Sequence, residues 1–219
     1  MSLRIGGLSR LSTCDWPGRL VATVFCQGCP WTCRYCHNPQ LIPGGTATTV
    51  SWDDVTELLR RRAGLLDGVV FSGGEPTMQA ALLPAIHEVR EIGFDVGLHT
   101  GGAHPRRLAA LLPLVDWVGL DIKALPRLYP AVTGSAVAAD RAWASLRLVL
   151  ESGVAYEVRT TVDEGTDDDA VAEMAGLLAR AGVRSYAIQR ARPAAGDGPA
   201  PPLLADLHAQ FGSFAYRPA

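Results

Sequence analysis

The chain has 219 residues, 48% of them hydrophobic, and a formal net charge of −2. That is length for one sizeable core and a composition ordinary for a soluble globular protein. The charge balance gives no sign of an electrostatic nucleic-acid surface, no apolar run approaches a membrane span, and residues 1–10 lack a signal-peptide core, so a cytoplasmic protein with neither nucleic acid nor membrane as partner is expected.

Residues 1–19 read as a lead-in, with turn signals at Gly6-Gly7 and Pro17-Gly18. Residues 20–26 are apolar and β-branched and predict a buried strand. A cysteine-rich loop follows, closed by Pro43-Gly44-Gly45. Ser51 is a candidate N-cap for a helix over 52–63, with Asp53 and Asp54 in its first turn. A second strand, 68–72, runs into Gly73-Gly74-Glu75-Pro76. A helix near 79–92 places Leu82, Ile86 and Val89 on one face. The third strand, 95–99, ends in Thr100-Gly101-Gly102, and a short helix over 105–112 follows. The fourth strand, 117–122, ends at Lys123. Residues 124–139 contain Pro and Gly and read as loop. A helix over 140–151 sets Trp143, Leu146 and Leu150 on one side, with Gly153 as its stop. The fifth strand is 156–162; a helix over 167–181 faces Val171, Met174 and Leu178 inward and stops at Gly182. The sixth strand is 185–189, residues 193–202 are a linker or lid, and 203–210 form the last helix.

Strands that alternate with helices imply right-handed βαβ crossovers and a parallel sheet. Six units are too few to close a barrel of eight, so an α/β fold of the open, partial (β/α)6 barrel type fits, with a doubly wound sheet as the alternative. Residues 1–192 form the main domain with its lead-in; 193–219 supply a linker and a helix packed on that same domain.

Cys29, Cys33 and Cys36 form C-x3-C-x2-C. Such thiolates hold iron–sulfur clusters, and a four-iron cluster held by three cysteines leaves one iron open for a small molecule. Cys26 adds a C-x2-C with Cys29, which makes a four-cysteine zinc knot the alternative. Structural zinc usually pairs two knuckles across a long segment, whereas here all four cysteines crowd together and Cys26 falls on a predicted strand. Short separations disfavour disulfides, and Cys14 and Cys26 read as ordinary buried thiols.

In α/β barrels chemistry sits at the C-terminal strand ends. Here those ends carry the cysteines, Gly73-Gly74-Glu75, His99 and Thr100, Asp121 and Lys123, Glu157 and Arg159, and Gln189 with Arg190. Two glycines let backbone approach a ligand, although a plain strand-to-helix turn uses them too. Asp121 and Lys123 alternate on one face of their strand; the bland reading is a local ion pair. Of 20 basic residues Lys123 is the only lysine, which points to a place that wants a compact ammonium rather than a guanidinium, with chance survival as the alternative. His99 reads equally as a structural histidine, and Arg159 as a carboxylate partner or a barrel stabiliser.

C-x3-C-x2-C with the aromatic Tyr35 before its last cysteine resembles the cluster loop of the radical S-adenosylmethionine (SAM) enzymes. Gln27-Gly28-Cys29 through Tyr35-Cys36-His37-Asn38-Pro39 resembles the glycyl-radical-enzyme activases. Asp15-Trp16-Pro17-Gly18 is most similar to the branch that activates anaerobic ribonucleoside-triphosphate reductase, with the pyruvate formate-lyase activases as near neighbours. The resemblance implies a [4Fe-4S] cluster on Cys29, Cys33 and Cys36, and SAM as second cofactor. It implies SAM contacts from Gly73-Gly74-Glu75 to the amino group and from Lys123 to the carboxylate. Asp121 would hold a polar part of SAM or of the peptide substrate. His99 and Thr100 would line the ribose or adenine pocket, and Tyr35, Cys36 and His37 would meet the adenine. Arg159 and Gln189 complete the implied SAM set, Gln189 standing where some relatives present a histidine. Reductive cleavage of SAM then yields a 5′-deoxyadenosyl radical that takes a hydrogen atom from a glycine of a partner enzyme. An external flavodoxin- or ferredoxin-type donor is implied. The rivals are a radical SAM enzyme for a small, pterin-like molecule and a non-catalytic zinc or iron–sulfur module.

Overall fold

The computed structural model describes residues 2–46, 50–191 and 199–218. In chain order the elements are β1 (Ile5–Ser12), β2 (Val21–Cys26), α1 (Trp52–Arg61), β3 (Gly68–Gly73), α2 (Leu82–Ile92), β4 (Asp95–Thr100), α3 (Pro105–Leu111), β5 (Trp117–Asp121), α4 (Tyr129–Thr133), α5 (Ala138–Ser152), β6 (Ala155–Val162), α6 (Asp168–Arg180), β7 (Ser185–Arg190), α7 (Pro201–Gln210) and β8 (Ser213–Arg217). All strands join one eight-stranded sheet in sequence order. β1 pairs antiparallel with β2; every later pair is parallel. β1 and β8 are the two edges, so the barrel stays open.

The six expected strands are present as β2 to β7, and both outermost strands are additions to the sequence reading. The lead-in is not a loop: its residues 5–12 form β1. Gly6 looked like a turn, but it is there for space, since a Cβ would stand 2.2 Å from Leu41 and 2.5 Å from Gln27. Residues 124–139 also depart from the expected loop, because they hold α4 and the start of α5. Pro126 and Pro130, whose presence favoured a loop there, each sit in the first turn of a helical segment, where a missing N–H costs nothing. Residues 193–198 of the expected linker or lid lie outside the described residues.

The helices cover the outer face of the sheet. Val24, Phe71, Leu98, Leu120, Val158 and Ile188 are fully buried there. Leu82, Ile86 and Val89 of α2 and Val171, Met174 and Leu178 of α6 pack on this layer as their spacing required. On α5 the buried face is Ala142, Ser145, Leu146 and Val149, with Trp143 and Leu150 only half-buried beside it. Ser51 caps α1 through a reciprocal capping box with Asp54. No helix among the described residues is long and apolar enough to cross a membrane.

The inner face is filled differently at its two ends. Trp16, Val21, Val70 and Trp117 form a separate buried cluster at the N-terminal end of the strands. The two indoles stack at 5.6 Å between ring centroids. Gly97 and Gly119 make room for them: a Cβ at Gly97 would lie 2.9 Å from Trp16, and one at Gly119 2.9 Å from Trp117. This plug is the floor on which the polar end of the bore rests.

Candidate active site

The cysteine loop leaves β2 at its C-terminal end and is pinned along its length. Gly28 and Cys29 donate backbone N–H bonds to Leu41 O (2.7 Å) and Ile42 O (3.0 Å). The Gln27 amide donates to Gln40 O and Pro43 O. On its other side, Thr32 N–H donates to Thr133 O (3.0 Å) and Arg34 N–H to Val132 O (3.1 Å). Arg34 reaches Asp163 with two bonds of 2.7 and 2.8 Å.

Gly73-Gly74-Glu75 lies against this loop. A Cβ at Gly73 would sit 2.5 Å from Cys26 N, and one at Gly74 2.3 Å from Gly28 O. Gly74 N–H and Glu75 N–H donate to Cys26 O and Gly28 O. The glycines therefore admit the neighbouring strand and cysteine loop as well as any ligand. The Glu75 carboxylate is only 2% exposed. It accepts bonds from Thr77 N–H and hydroxyl, from the Thr100 hydroxyl (2.7 Å) and from Gly101 N–H (2.9 Å). It ties the end of β3 to the end of β4, so its oxygens are already engaged.

Further round the bore, Asp121 accepts from Arg159 Nε (2.9 Å) and from Lys123 Nζ (3.3 Å). Burial alone would raise the Asp121 carboxyl, but Arg159 and then Lys123 outweigh it and hold it below the usual carboxylate range. Burial works against the Lys123 charge, and Asp121 outweighs that in turn, so the ammonium persists. His99 is held neutral by burial and by Arg159. Its Nε2 lies 2.6 Å from Asp15 O and 3.1 Å from Arg159 Nη1, and its Nδ1 lies 3.0 Å from the Ser72 hydroxyl. Beyond them Gln189 donates to Thr161 Oγ1 (3.0 Å), and Arg217 of β8 forks onto Glu157 at 2.7 and 2.8 Å.

These groups surround one cavity of about 380 Å³. Every residue of the implied cluster and SAM set lines it: Cys29, Cys33, Tyr35, Cys36, His37, Gly73, Gly74, Glu75, His99, Thr100, Asp121, Lys123, Arg159 and Gln189. Arg190 lines it too, whereas Glu157, also read as part of the polar end, pairs in register with Gly119 lower in the sheet and does not. Cys14, Asp15, Trp31, Thr161 and Arg217 line it too and were missed as site residues. Asp15 carried a signal, because it opens the Asp15-Trp16-Pro17-Gly18 stretch; Arg217 carried none, lying on a strand that was not foreseen. Cys14 is exposed, against expectation.

The thiols separate into two kinds. Cys26 is fully buried in the outer core, turned away from the cavity. Cys29, Cys33 and Cys36 are half-buried at the cavity wall. Burial pushes the Cys29 thiol up to about 12 and raises Cys33 as well, so loading a metal centre there must release protons. Among the described residues no set of Cys, His, Asp or Glu converges on a single metal ion. Cys26 is thus set apart from the other three, which counts against a zinc knot shared by Cys26, Cys29, Cys33 and Cys36. Three thiols spread on one cavity wall fit a multi-iron cluster.

The radical SAM superfamily model matches residues 23–178, well over half the chain, and the protein belongs to that superfamily. The family uses a [4Fe-4S] cluster and SAM. The chain is 33% identical over 129 residues to a Methanocaldococcus jannaschii protein that bears the name of a glycyl-radical enzyme activating enzyme, covering 56% of this chain and 51% of the relative. It is 33% identical over 135 residues to the pyruvate formate-lyase-activating enzyme of Listeria monocytogenes, covering 55% and 53%. The matched stretch thus spans about half the length of these curated relatives. In fold it is similar to the crystal structure of Streptococcus suis SuiB bound to its precursor peptide SuiA, with a TM-score of 0.67 at 14% identity, over 87% of this chain and 47% of that one.

Proposed function

We propose that this protein is a glycyl-radical-enzyme activase, and that its partner is anaerobic ribonucleoside-triphosphate reductase. The carrying observation is that the three thiols and the Lys123–Asp121 pair face one cavity of an unclosed barrel. Identity to named activases supports the class, and Asp15-Trp16-Pro17-Gly18 supports the partner.

Cys29, Cys33 and Cys36 would hold the cluster. When bound, the cluster and SAM supply the reductive cleavage that yields a 5′-deoxyadenosyl radical able to abstract a hydrogen atom. Lys123 offers a desolvated ammonium to the carboxylate of SAM, and Asp121 and Arg159 keep that ammonium charged and in place. The backbone at Gly73-Gly74 offers carbonyl oxygens to the amino group, while Glu75 holds that backbone rigid through Thr100 and Gly101. The Trp16–Trp117 floor keeps water out from below. Because β1 and β8 do not pair, the barrel is unclosed, which suits entry of a glycine-bearing segment of a partner. The electron comes from a flavodoxin- or ferredoxin-type donor in the cytoplasm.

The test is anaerobic incubation of the reconstituted protein with SAM, a reductant and the purified reductase, read by electron paramagnetic resonance. A glycyl-radical doublet on the reductase, with 5′-deoxyadenosine formed, is expected. A doublet only on pyruvate formate-lyase would reassign the partner. 5′-Deoxyadenosine that forms only with a small-molecule substrate would refute the activase reading.

A further inference from the structure

Lys123 is fixed by more than its ion pair. Its backbone N–H donates to the Tyr129 hydroxyl (3.0 Å), and its backbone carbonyl accepts from the Tyr35 hydroxyl (3.3 Å). Two phenols thus grip the peptide groups on either side of one Cα. Tyr35 belongs to the cysteine loop, between Cys33 and Cys36. Tyr129 is fully buried and is braced by the same loop, since Trp31 meets it edge-on at 6.3 Å between ring centroids. Trp31 is itself wedged on the end of β4, where a Cβ at Gly101 would come within 2.4 Å of the indole. The backbones of the loop and of α4 are further joined through Thr32 N–H to Thr133 O and Arg34 N–H to Val132 O.

We infer that Tyr35 and Tyr129 are positioning residues that register Lys123 to the cysteine loop, so that the ammonium and the three thiols keep one fixed separation. The inference rests on the reading of Lys123 as the residue that receives the carboxylate of SAM. A ligand that must touch the cluster and Lys123 at once needs that separation set beforehand; leaving it to the ligand would cost affinity. Neither hydroxyl reaches the ligand in this role. Each acts on the lysine backbone, and a phenylalanine would keep the ring and its packing while removing the bond.

The test uses Tyr35→Phe and Tyr129→Phe in the full chain, reconstituted anaerobically, with Lys123→Ala as reference. Iron and sulfide content is expected to match the unmodified protein. The dissociation constant for SAM, read from the SAM-induced shift of the reduced-cluster resonance, is expected to rise roughly two- to tenfold in each variant. Lys123→Ala should exceed both. A second readout needs no cofactor: in Tyr129→Phe the Lys123 amide loses its acceptor and should exchange hydrogen faster, while amides of β5 upstream of it keep their rates. SAM affinity in both variants within twofold of the unmodified protein, beside a weakened Lys123→Ala, would overturn the inference and leave the site reading standing. Loss of cluster in step with loss of SAM binding would also overturn it, because the tyrosines would then act on loop packing alone. If the unmodified protein binds no SAM, the site reading fails and takes the inference with it.

Discussion

On β5 the inward-facing residues run Trp117, Gly119, Asp121; on β4 they run Gly97, then His99. The lower members of each series close the bore and the upper ones line the cavity. At the floor the requirement is volume, met by stacked indoles against bare glycines. At the mouth the requirement is charge held in place, met by pairing Asp121 with Arg159 and Lys123 and by surrounding Glu75 with hydroxyl and amide donors. One strand can serve both ends because its side-chain period lets residues two apart share a face. Substitutions at the floor should therefore cost stability, and substitutions at the mouth should cost binding.

The contrast breaks if Cys33→Ala disturbs the fold. Complete loss of the cluster and of SAM cleavage is expected, with a far-ultraviolet circular dichroism spectrum and melting point close to the unmodified protein, because the thiol is half-buried at the wall and outside the floor cluster. Trp117→Ala should do the reverse. Emptying the stacked pair should destabilise the fold by about 3–5 kcal/mol in denaturant titration, while the cluster content of the protein that remains folded stays unchanged. Lys123→Ala sharpens the upper half. With the cluster retained, the dissociation constant for SAM should rise roughly ten- to a hundredfold, the range for a hydrogen bond to a charged group. The smallest effect belongs to Arg34→Ala. Its side chain is 45% exposed, so the lost pair with Asp163 should cost less than about 1 kcal/mol of global stability. The loop it steadies should shed iron faster under a chelator, followed by absorbance.

Much of this was legible in the sequence, for reasons that can be named. Outer-face residues such as Phe71 and Leu98 form short apolar runs before glycine turns, and that pattern gave six of the strands. The strand ends then followed, and with them the cavity lining. β8 was not legible: residues 213–217 are half-buried or exposed, and they mix polar and aromatic side chains at an open edge. α4 was hidden by prolines that open helical turns. Glu75 showed its identity but not its partners, since the bonds to Thr100 and Gly101 depend on where β4 ends beside β3. The same holds for Tyr35 and Tyr129, whose hydroxyls meet Lys123 across 88 and 6 residues of chain. Motifs name residue types; the bonds that fix them come from the packing of distant segments.

The most direct test of the central claim is electron paramagnetic resonance of the anaerobically reconstituted, dithionite-reduced protein, recorded with and without SAM and followed by assay for 5′-deoxyadenosine. A reduced four-iron signal that shifts when SAM is added, with 5′-deoxyadenosine produced, is the result predicted for three thiols and Lys123 sharing one cavity. A protein that takes up tightly bound zinc in place of iron, with no SAM-dependent change and no 5′-deoxyadenosine, would contradict it.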